Sequence, residues 1–414
     1  MDVTNKKKIV NDPVHGFINI QHPIVFDLIE HPYFQRLRNI KQLGLTYLVY
    51  PGAIHSRFQH ALGALHLMNE AILVLRSKGH CITDEEAEAA CIAILLHDIG
   101  HGPFSHSLEY SIAKDINHET ISRCFMHWLN KEMNGRLTIA LEVFEDKYPK
   151  KFLHQLVSSQ LDMDRLDYLR RDSFFSGVTE GAVGVERIIK MLDVINDQLV
   201  VEAKGIYSVE KFLIARRLMY WQVYLHKTVV VAEQILIKML QRARELTHSG
   251  IDLFATPSLK FFLINDVVLD DFTANESAKT PSEALVHFSN LDDSDIMISA
   301  KIWQKHDDPV LSKLARMIVN RKLLRIELRG KPFEPEKIEL LRQNVLSTDP
   351  SLVQFIDYFV FSDSVSNSTY SSHDDSIKIL YNNGDLIDLD NASDILNTQT
   401  LSTEVKKYFL CYPK

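Results

Sequence analysis

Residues 97–106 read HDIGHGPFSH, and the residue types in that run are those that hold metals and move protons. His97 and Asp98 close an apolar stretch, and His101 falls one turn later on the face of His97. Gly100, Gly102 and Pro103 then interrupt any helix. An imidazole and a carboxylate at the mouth of a buried helix suit a divalent cation. Such a set accepts iron, manganese, zinc, magnesium or cobalt, and its open positions take water and substrate oxygens. Two further candidate ligands come from elsewhere: His60 in SRFQHALG and Asp164 in LDMDRLDYLRRD. An isolated His-Asp pair would be read as a histidine at a helix end beside an acid. Here the pair follows an apolar helix and belongs to four histidines within 22 residues, His97, His101, His106 and His118, which favours the metal reading.

These side chains need a scaffold, and helical patterns dominate the chain. Residues 84–98 open with acids suited to a helix N-terminus and then become apolar all round, as a buried helix does. Helices are also predicted over 117–133 and 151–172, and one or two long ones over 208–248, stopping near Gly250. Three short hairpins are predicted: around Pro13 and Gly16, around residue 200 in DQLVVEAKGIY, and at Asn383-Gly384 between two alternating runs. The polar stretch 271–290 reads as a loop or seam. The expected fold is mainly α, a helical core over residues 1–270 followed by a mixed α+β region over 271–414. No internal repeat or low-complexity tract interrupts it.

The 414 residues carry a formal net charge of −8, so no global basic field draws nucleic acid or an anionic membrane. A polyanionic ligand would need a local cluster of cations. The four cysteines, Cys81, Cys91, Cys124 and Cys411, are scattered without a CxxC pair, which points to a reducing compartment rather than a disulfide framework. The start MDVTNKKKIV lacks the apolar centre of a signal peptide, and no run is long enough to span a bilayer. A cytoplasmic protein is expected.

In order along the chain, NDPVHGF, QRLRNIKQLG, PGAIHSRFQHALG, LLHDIGHGPFSH, DMDRLDYLRRD and RRLMYWQVYLHK resemble segments of the sterile-alpha-motif/HD-domain dNTP triphosphohydrolases and their bacterial dGTPase-like relatives. The likeness spans about residues 8–230; the sterile-alpha-motif domain has no counterpart. It implies an HD-domain helical core with a divalent metal on His60, His97, Asp98 and Asp164, and additional Mg carried by the nucleotide. His106 matches the catalytic histidine, Glu109 the acid that orients it, one methylene longer than the usual aspartate, and His101 and His118 match phosphate-contacting histidines. Arg57, Arg165 and Arg216, joined by Lys227, would neutralise the triphosphate. Tyr168 and Asp172 would contact phosphate and sugar, and Gln42 a sugar hydroxyl. Leu43 and Tyr224 would crowd the 2′ position against a ribonucleotide. Leu225 replaces a glutamine that some relatives place near the base, which leaves base preference open. Lys8, Ile9, Asn11, Glu30, Gln35 and Arg38 match an effector-nucleotide site at a subunit interface in the animal relative, so a homo-oligomer built from dimers is implied.

Spacing alone agrees in part. Asp164, Tyr168 and Asp172 fall at i, i+4 and i+8 on one side of a helix, and Arg216, Tyr220, Tyr224 and Lys227 are predicted to share a face. The plain alternatives are a solvated cation row over packed aromatics, a surface salt bridge for Arg57, core packing for Leu43 and an ordinary amphipathic helix for Gln35 and Arg38. The expected reaction is attack of water on the α-phosphorus, with His106 protonating the departing deoxynucleoside 5′-oxygen and intact triphosphate as product. Two rival classes remain: another HD enzyme, such as a 5′-nucleotidase or phosphodiesterase, and a catalytically silent nucleotide or nucleic-acid binder.

Overall fold

Residues 8–20 alternate apolar and polar side chains around Pro13 and Gly16, and they fold as the hairpin that pattern requires. In the computed structural model, which describes residues 8–104, 116–273, 279–367, 376–394 and 404–414, β1 (Lys8–Asp12) pairs antiparallel with β2 (Gly16–Ile20). Gly16 takes a left-handed φ of 75° at the turn. The Asp12 carboxylate accepts hydrogen bonds from the amides of Val14 and His15, both at 2.9 Å, and so locks the turn. Ile18 and Ile20 face the core.

The body is helical: α1 (Pro23–Glu30), α2 (Arg57–Ser77), α3 (Asp84–Leu96), α4 (His118–Glu132), α5 (Met163–Ser176), α6 (Ile206–Met219) and α7 (Lys227–His248) carry or flank the residues of interest. Thr83 and Glu86 cap α3 reciprocally, Glu86 N donating to Thr83 Oγ1 at 3.1 Å and Thr83 N to Glu86 Oε2 at 2.9 Å. From Ala89 to Leu96 every α3 side chain is buried, which is why its sequence shows no polar face. The mainly α fold with short hairpins agrees with expectation, as does the turn at Asn383-Gly384, between β7 (Lys378–Leu380) and β8 (Leu386–Asp388), where Gly384 has a φ of 88°.

Three expectations need correction. Residues 151–172 are not one helix: Lys151–Val157 ends, and α5 begins anew after Asp162, whose carboxylate caps it by accepting from Arg165 N at 2.7 Å. The hairpin near residue 200 turns earlier, at Asn196 and Asp197 (φ 51° and 64°), joining β3 (Leu192–Ile195) to β4 (Gln198–Glu202), while Ala203–Gly205 make a short 3-10 turn and Ile206 begins α6. Within 271–290, residues Glu283–Ser289 are helical and 274–278 lie outside the described residues.

The C-terminal region is tied into the body by backbone. β7 lies parallel to β4, giving a sheet ordered β3-β4-β7-β8. A separate sheet has β9 (Val405–Tyr412) between β5 (Arg325–Arg329) and β6 (Phe361–Asn367). One continuous apolar core runs from Ile18 to Cys411. All four cysteines are unpaired, and among the described residues no helix is long and apolar enough to cross a membrane.

Candidate metal centre and its cavities

The end of α3 delivers the first two ligand candidates. His97 Nδ1 donates to the Ile94 carbonyl at 2.6 Å, which fixes the ring and turns Nε2 away from the helix. The turn that follows is pressed against α4: Gly100 N donates to Ser122 Oγ at 2.9 Å, and that hydroxyl donates to the His97 carbonyl at 2.7 Å. A Cβ at Gly100 would stand 2.2 Å from the His118 carbonyl oxygen, so the approach admits only glycine. Backbone bonds Gln42 N to His55 O and Arg57 N to Ile40 O, each 2.9 Å, pin the 40–57 loop and bring Gln42, Leu43 and Arg57 to the same place.

His60 from α2, His97 from α3 and Asp164 from α5 offer ligand atoms within 4.8 Å of one another. Asp164 Oδ1 stands 3.0 Å from His60 Nε2 and 3.4 Å from His97 Nε2. Asp98 is contiguous, with Oδ1 3.3 Å from His97 Nε2 and Oδ2 3.7 Å from His60 Nε2. Asp98 also pairs with Arg57 and with His101 at 3.2 Å, and with His101 and His118 forms a second, adjoining triad. His101 and His118 are stacked at 3.9 Å.

Whether this set fits a cation turns on two atoms. Among the described residues, Nε2 of His60 and Nε2 of His97 are buried without a well-directed hydrogen-bond partner. Leaving such atoms unsatisfied is costly, and both lie near the shared Asp164 oxygen. His60 Nδ1 donates to Asp167 at 2.8 Å, the arrangement that presents the opposite nitrogen to a metal. His60, His97 and Asp164 form a set that fits a divalent cation, and Asp98 stands beside them as a further candidate ligand.

Electrostatics without the cation are consistent with this. Burial opposes charge on Asp98, but His97, His101 and Arg57 outweigh it and hold the carboxyl well below its usual range. Asp164 is likewise pulled down against its burial by His60 and His97. Burial pushes His60 down, yet Asp164 and Asp167 together raise it to about 10. A cation therefore competes with a proton for His60 Nε2. Burial and the neighbouring Arg57 push His101 well below its usual value, keeping it neutral.

The cluster sits where two cavities meet. One, of about 320 Å³, is lined by Arg57, Asp98, His101, His118 and Asp164 and, farther along, by Gln42, Leu43, Tyr168, Asp172, Tyr220, Tyr224 and Leu225. The other, about 370 Å³, shares Asp98, His118 and Asp164 and adds Arg165, Arg123, His154 and Glu119. Among the described residues, Nε of Arg165, Nε and Nη1 of Arg216, and Gln42 Oε1 are buried without hydrogen-bond partners, although Arg216 lines neither cavity. Donors of that kind await an anion and the amide oxygen a hydroxyl. Burial pushes the phenols of Tyr168 and Tyr224 up, so both stay neutral donors.

Tyr220 and Tyr224 reach the cavity through a π-helical turn, Tyr220–Tyr224, between α6 and α7. This wide turn, and the extended His226 that follows it, break the register that would have put Lys227 beside Arg216; Lys227 is exposed and outside both linings. His106 and Glu109 lie outside the described residues. Lys8, Ile9 and Asn11 on β1 and Glu30 at the end of α1 are exposed. Gln35 bonds Arg38 Nε at 2.7 Å, and Arg38 covers the Phe58 ring at 3.6 Å; none of these six lines either cavity.

Sequence reasoning missed several participants. His55 Nε2 donates to Asp172 Oδ1 at 2.7 Å while Tyr224 donates to Asp172 Oδ2 at 2.8 Å, so Asp172 is held from both sides. Thr46 and Glu233 also line the first cavity. His55 sits two residues before Arg57, and that proximity was the only available signal. Tyr224→Phe removes the bond that orients Asp172; a bond to a charged acceptor is worth about 1.5–3 kcal/mol, so KM is expected to rise at least about tenfold with a smaller change in kcat. Steady-state kinetics on the preferred nucleotide checks this.

The HD domain pattern spans residues 57–172 of this chain, and an HD associated region spans 183–256. The crystal structure of a phosphohydrolase from Bacteroides thetaiotaomicron is similar, with a TM-score of 0.93 and 53% identity over 99% of this chain and 100% of that one. The uncharacterized protein YwfO of Bacillus subtilis is 36% identical over 328 residues, 77% of this chain and 71% of its own. The deoxynucleoside triphosphate triphosphohydrolase SAMHD1 of Homo sapiens is 28% identical over 292 residues, 59% of this chain and 46% of its own, so the match spans less than half of that protein.

Proposed function

The chain belongs to the HD-domain phosphohydrolase family, and from that premise we propose that it hydrolyses deoxynucleoside triphosphates to deoxynucleoside and triphosphate. The observation that carries this reading is the cluster of His and Asp ligand candidates at the junction of a cavity lined by aromatics and a polar cavity edged by Arg165. Resemblance to the dNTP triphosphohydrolases supports the choice of nucleotide.

When bound, a divalent cation would supply Lewis acidity toward a phosphate oxygen. The protein's residues do the rest. Leu43 and Tyr224 crowd the sugar, Gln42 Oε1 accepts from a sugar hydroxyl, and Asp172, held by His55 and Tyr224, fixes the other side. Arg57, Arg165 and Arg216 take up charge that develops on the phosphate oxygens. Water forms its bond to the α-phosphorus as the bond from phosphorus to the 5′-oxygen breaks. His106 delivers a proton to that oxygen, and Glu109 orients the imidazole. Neutral His101 donates to phosphate without adding charge. The two nitrogen and two carboxylate ligands do not choose among Fe, Mn, Zn, Mg and Co.

Incubation with each of the four dNTPs and GTP under Mg, Mn, Fe and Co, with products resolved by chromatography, is expected to yield deoxynucleoside and intact triphosphate. Inorganic phosphate or a mononucleotide would instead assign a 5′-nucleotidase or phosphodiesterase, and bound dNTP without product a nucleotide sensor. We take the surface bearing Lys8, Asn11, Glu30, Gln35 and Arg38 as the effector contact of a homo-oligomer. Hyperbolic kinetics unchanged by added nucleotide would remove that part of the reading.

A further inference from the structure

The buried carboxylate of Asp167 takes part in no chemical step above, yet it accepts four hydrogen bonds. His60 Nδ1 donates to its Oδ2 at 2.8 Å and Arg171 Nε to the same oxygen at 2.9 Å; His15 Nε2 donates to its Oδ1 at 2.6 Å and Arg171 Nη2 at 3.0 Å. Arg171 reaches on to Asp12, Nη1 to Oδ2 at 2.7 Å and Nη2 to Oδ1 at 3.2 Å. Asp167 and Arg171 are fully buried, and the His15 side chain is 2% exposed. Both outer partners, Asp12 and His15, belong to the β1–β2 hairpin, and Asp12 also holds that hairpin's turn.

We propose that the N-terminal hairpin is a positioning element for the metal ligand His60, acting through Asp167. The proposal rests on the metal reading of His60 and deepens it. A carboxylate bound to Nδ1–H fixes the tautomer and orients the ring so that Nε2 keeps a lone pair for the cation. Asp167 can do this only while its own oxygens stay in place, and the groups that fix them are Arg171, steadied by Asp12, and His15. Without the hairpin, Asp167 loses the bond from His15 and Arg171 loses Asp12, so the carboxylate is free to shift and the His60 ring loses its fixed direction. The hairpin thus sets cation affinity although it contributes no ligand. Any ligand or neighbouring chain that displaces it weakens metal binding.

The test is Mn(II) affinity, measured by calorimetry and equilibrium dialysis on the full chain stripped of metal, with folding monitored by circular dichroism and Tm. His15→Ala and Asp12→Asn, which act behind Asp167 rather than on His60 itself, are expected to weaken Mn(II) binding about 3–10-fold, at or below the low end of the roughly 10–100-fold cost of losing a group bonded directly to a ligand. His15→Gln, which retains a donor, should recover most of the loss, and Asn19→Ala, an exposed change on β2, should leave affinity unaltered. A role in folding alone would lower Tm while the folded protein bound Mn(II) as tightly as wild type, and that result overturns the proposal. If His15→Ala does not fold, Asp12→Asn carries the comparison, and wild-type affinity there overturns it equally. Wild-type protein that binds no Mn(II) would refute the metal reading itself rather than the hairpin's part in it.

Discussion

Asp98→Ala is expected to lose turnover by at least about a thousandfold while keeping its helical circular dichroism, because a cation's Lewis acidity is worth several kcal/mol of transition-state stabilisation. Asp98 touches Arg57, His97 and His101 and lies beside His60, so among the described residues it alone joins these four groups. Without it, Arg57 would face two histidines across a buried space with one anion fewer, which repels a cation as well as removing a ligand. The fold should survive, since α3 is anchored by its apolar side chains and its cap at Thr83 rather than by the acid beyond its end. Product chromatography, metal content and circular dichroism on one preparation decide the matter. Full activity in a folded, metal-free Asp98→Ala protein would refute the site.

Gly63→Ala carries the largest expected effect on stability. A Cβ there would lie 2.0 Å from Asp167 Oδ1 and 2.2 Å from Arg171 Nη2, inside the ion pair that nests against the bare backbone of α2. Either the helix shifts or the pair opens. Opening a buried pair costs about 3–5 kcal/mol, and overpacking alone about 1–3. A fall in Tm of roughly 5–10 °C is expected, together with weaker metal retention, because His60 sits one turn before Gly63 on the same helix. Gly330→Ala, where a Cβ meets nothing within 4 Å, is the matched control and should leave Tm unchanged. A thermally normal Gly63→Ala variant would show that the pair is looser than its geometry indicates.

Much of the scaffold was legible because local chemistry announced it. The acids before α3 and its unbroken apolar run specified a capped, buried helix, and Asn383-Gly384 specified a turn. The HDIGH run and the i, i+4, i+8 spacing of Asp164, Tyr168 and Asp172 placed those residues around one space. The failures share a physical cause. DMDRLDYLRRD puts charges on every face of α5, and spacing cannot tell buried Arg171, paired with Asp12 and Asp167, from Arg170, which meets Glu186 at the surface. Sorting them requires partners 150 residues away on the hairpin. The break before α5 depended on recognising Asp162 as a cap rather than one more helical acid. No residue in YWQVY signals a π turn, so extrapolating the helical period past it misplaced Lys227.

The union of β4 with β7 pairs Val200 with Lys378, strands brought together from distant parts of the chain. Such a pairing forms late, after a long loop has closed, and slows acquisition of the native state. During synthesis the helical body would wait with the outer edge of β4 bare, an invitation to pair with another nascent chain. A polypeptide ended before residue 378 retains the ligand candidates His60, His97, Asp98 and Asp164 yet leaves that edge open, so aggregation rather than lost chemistry should be its first defect.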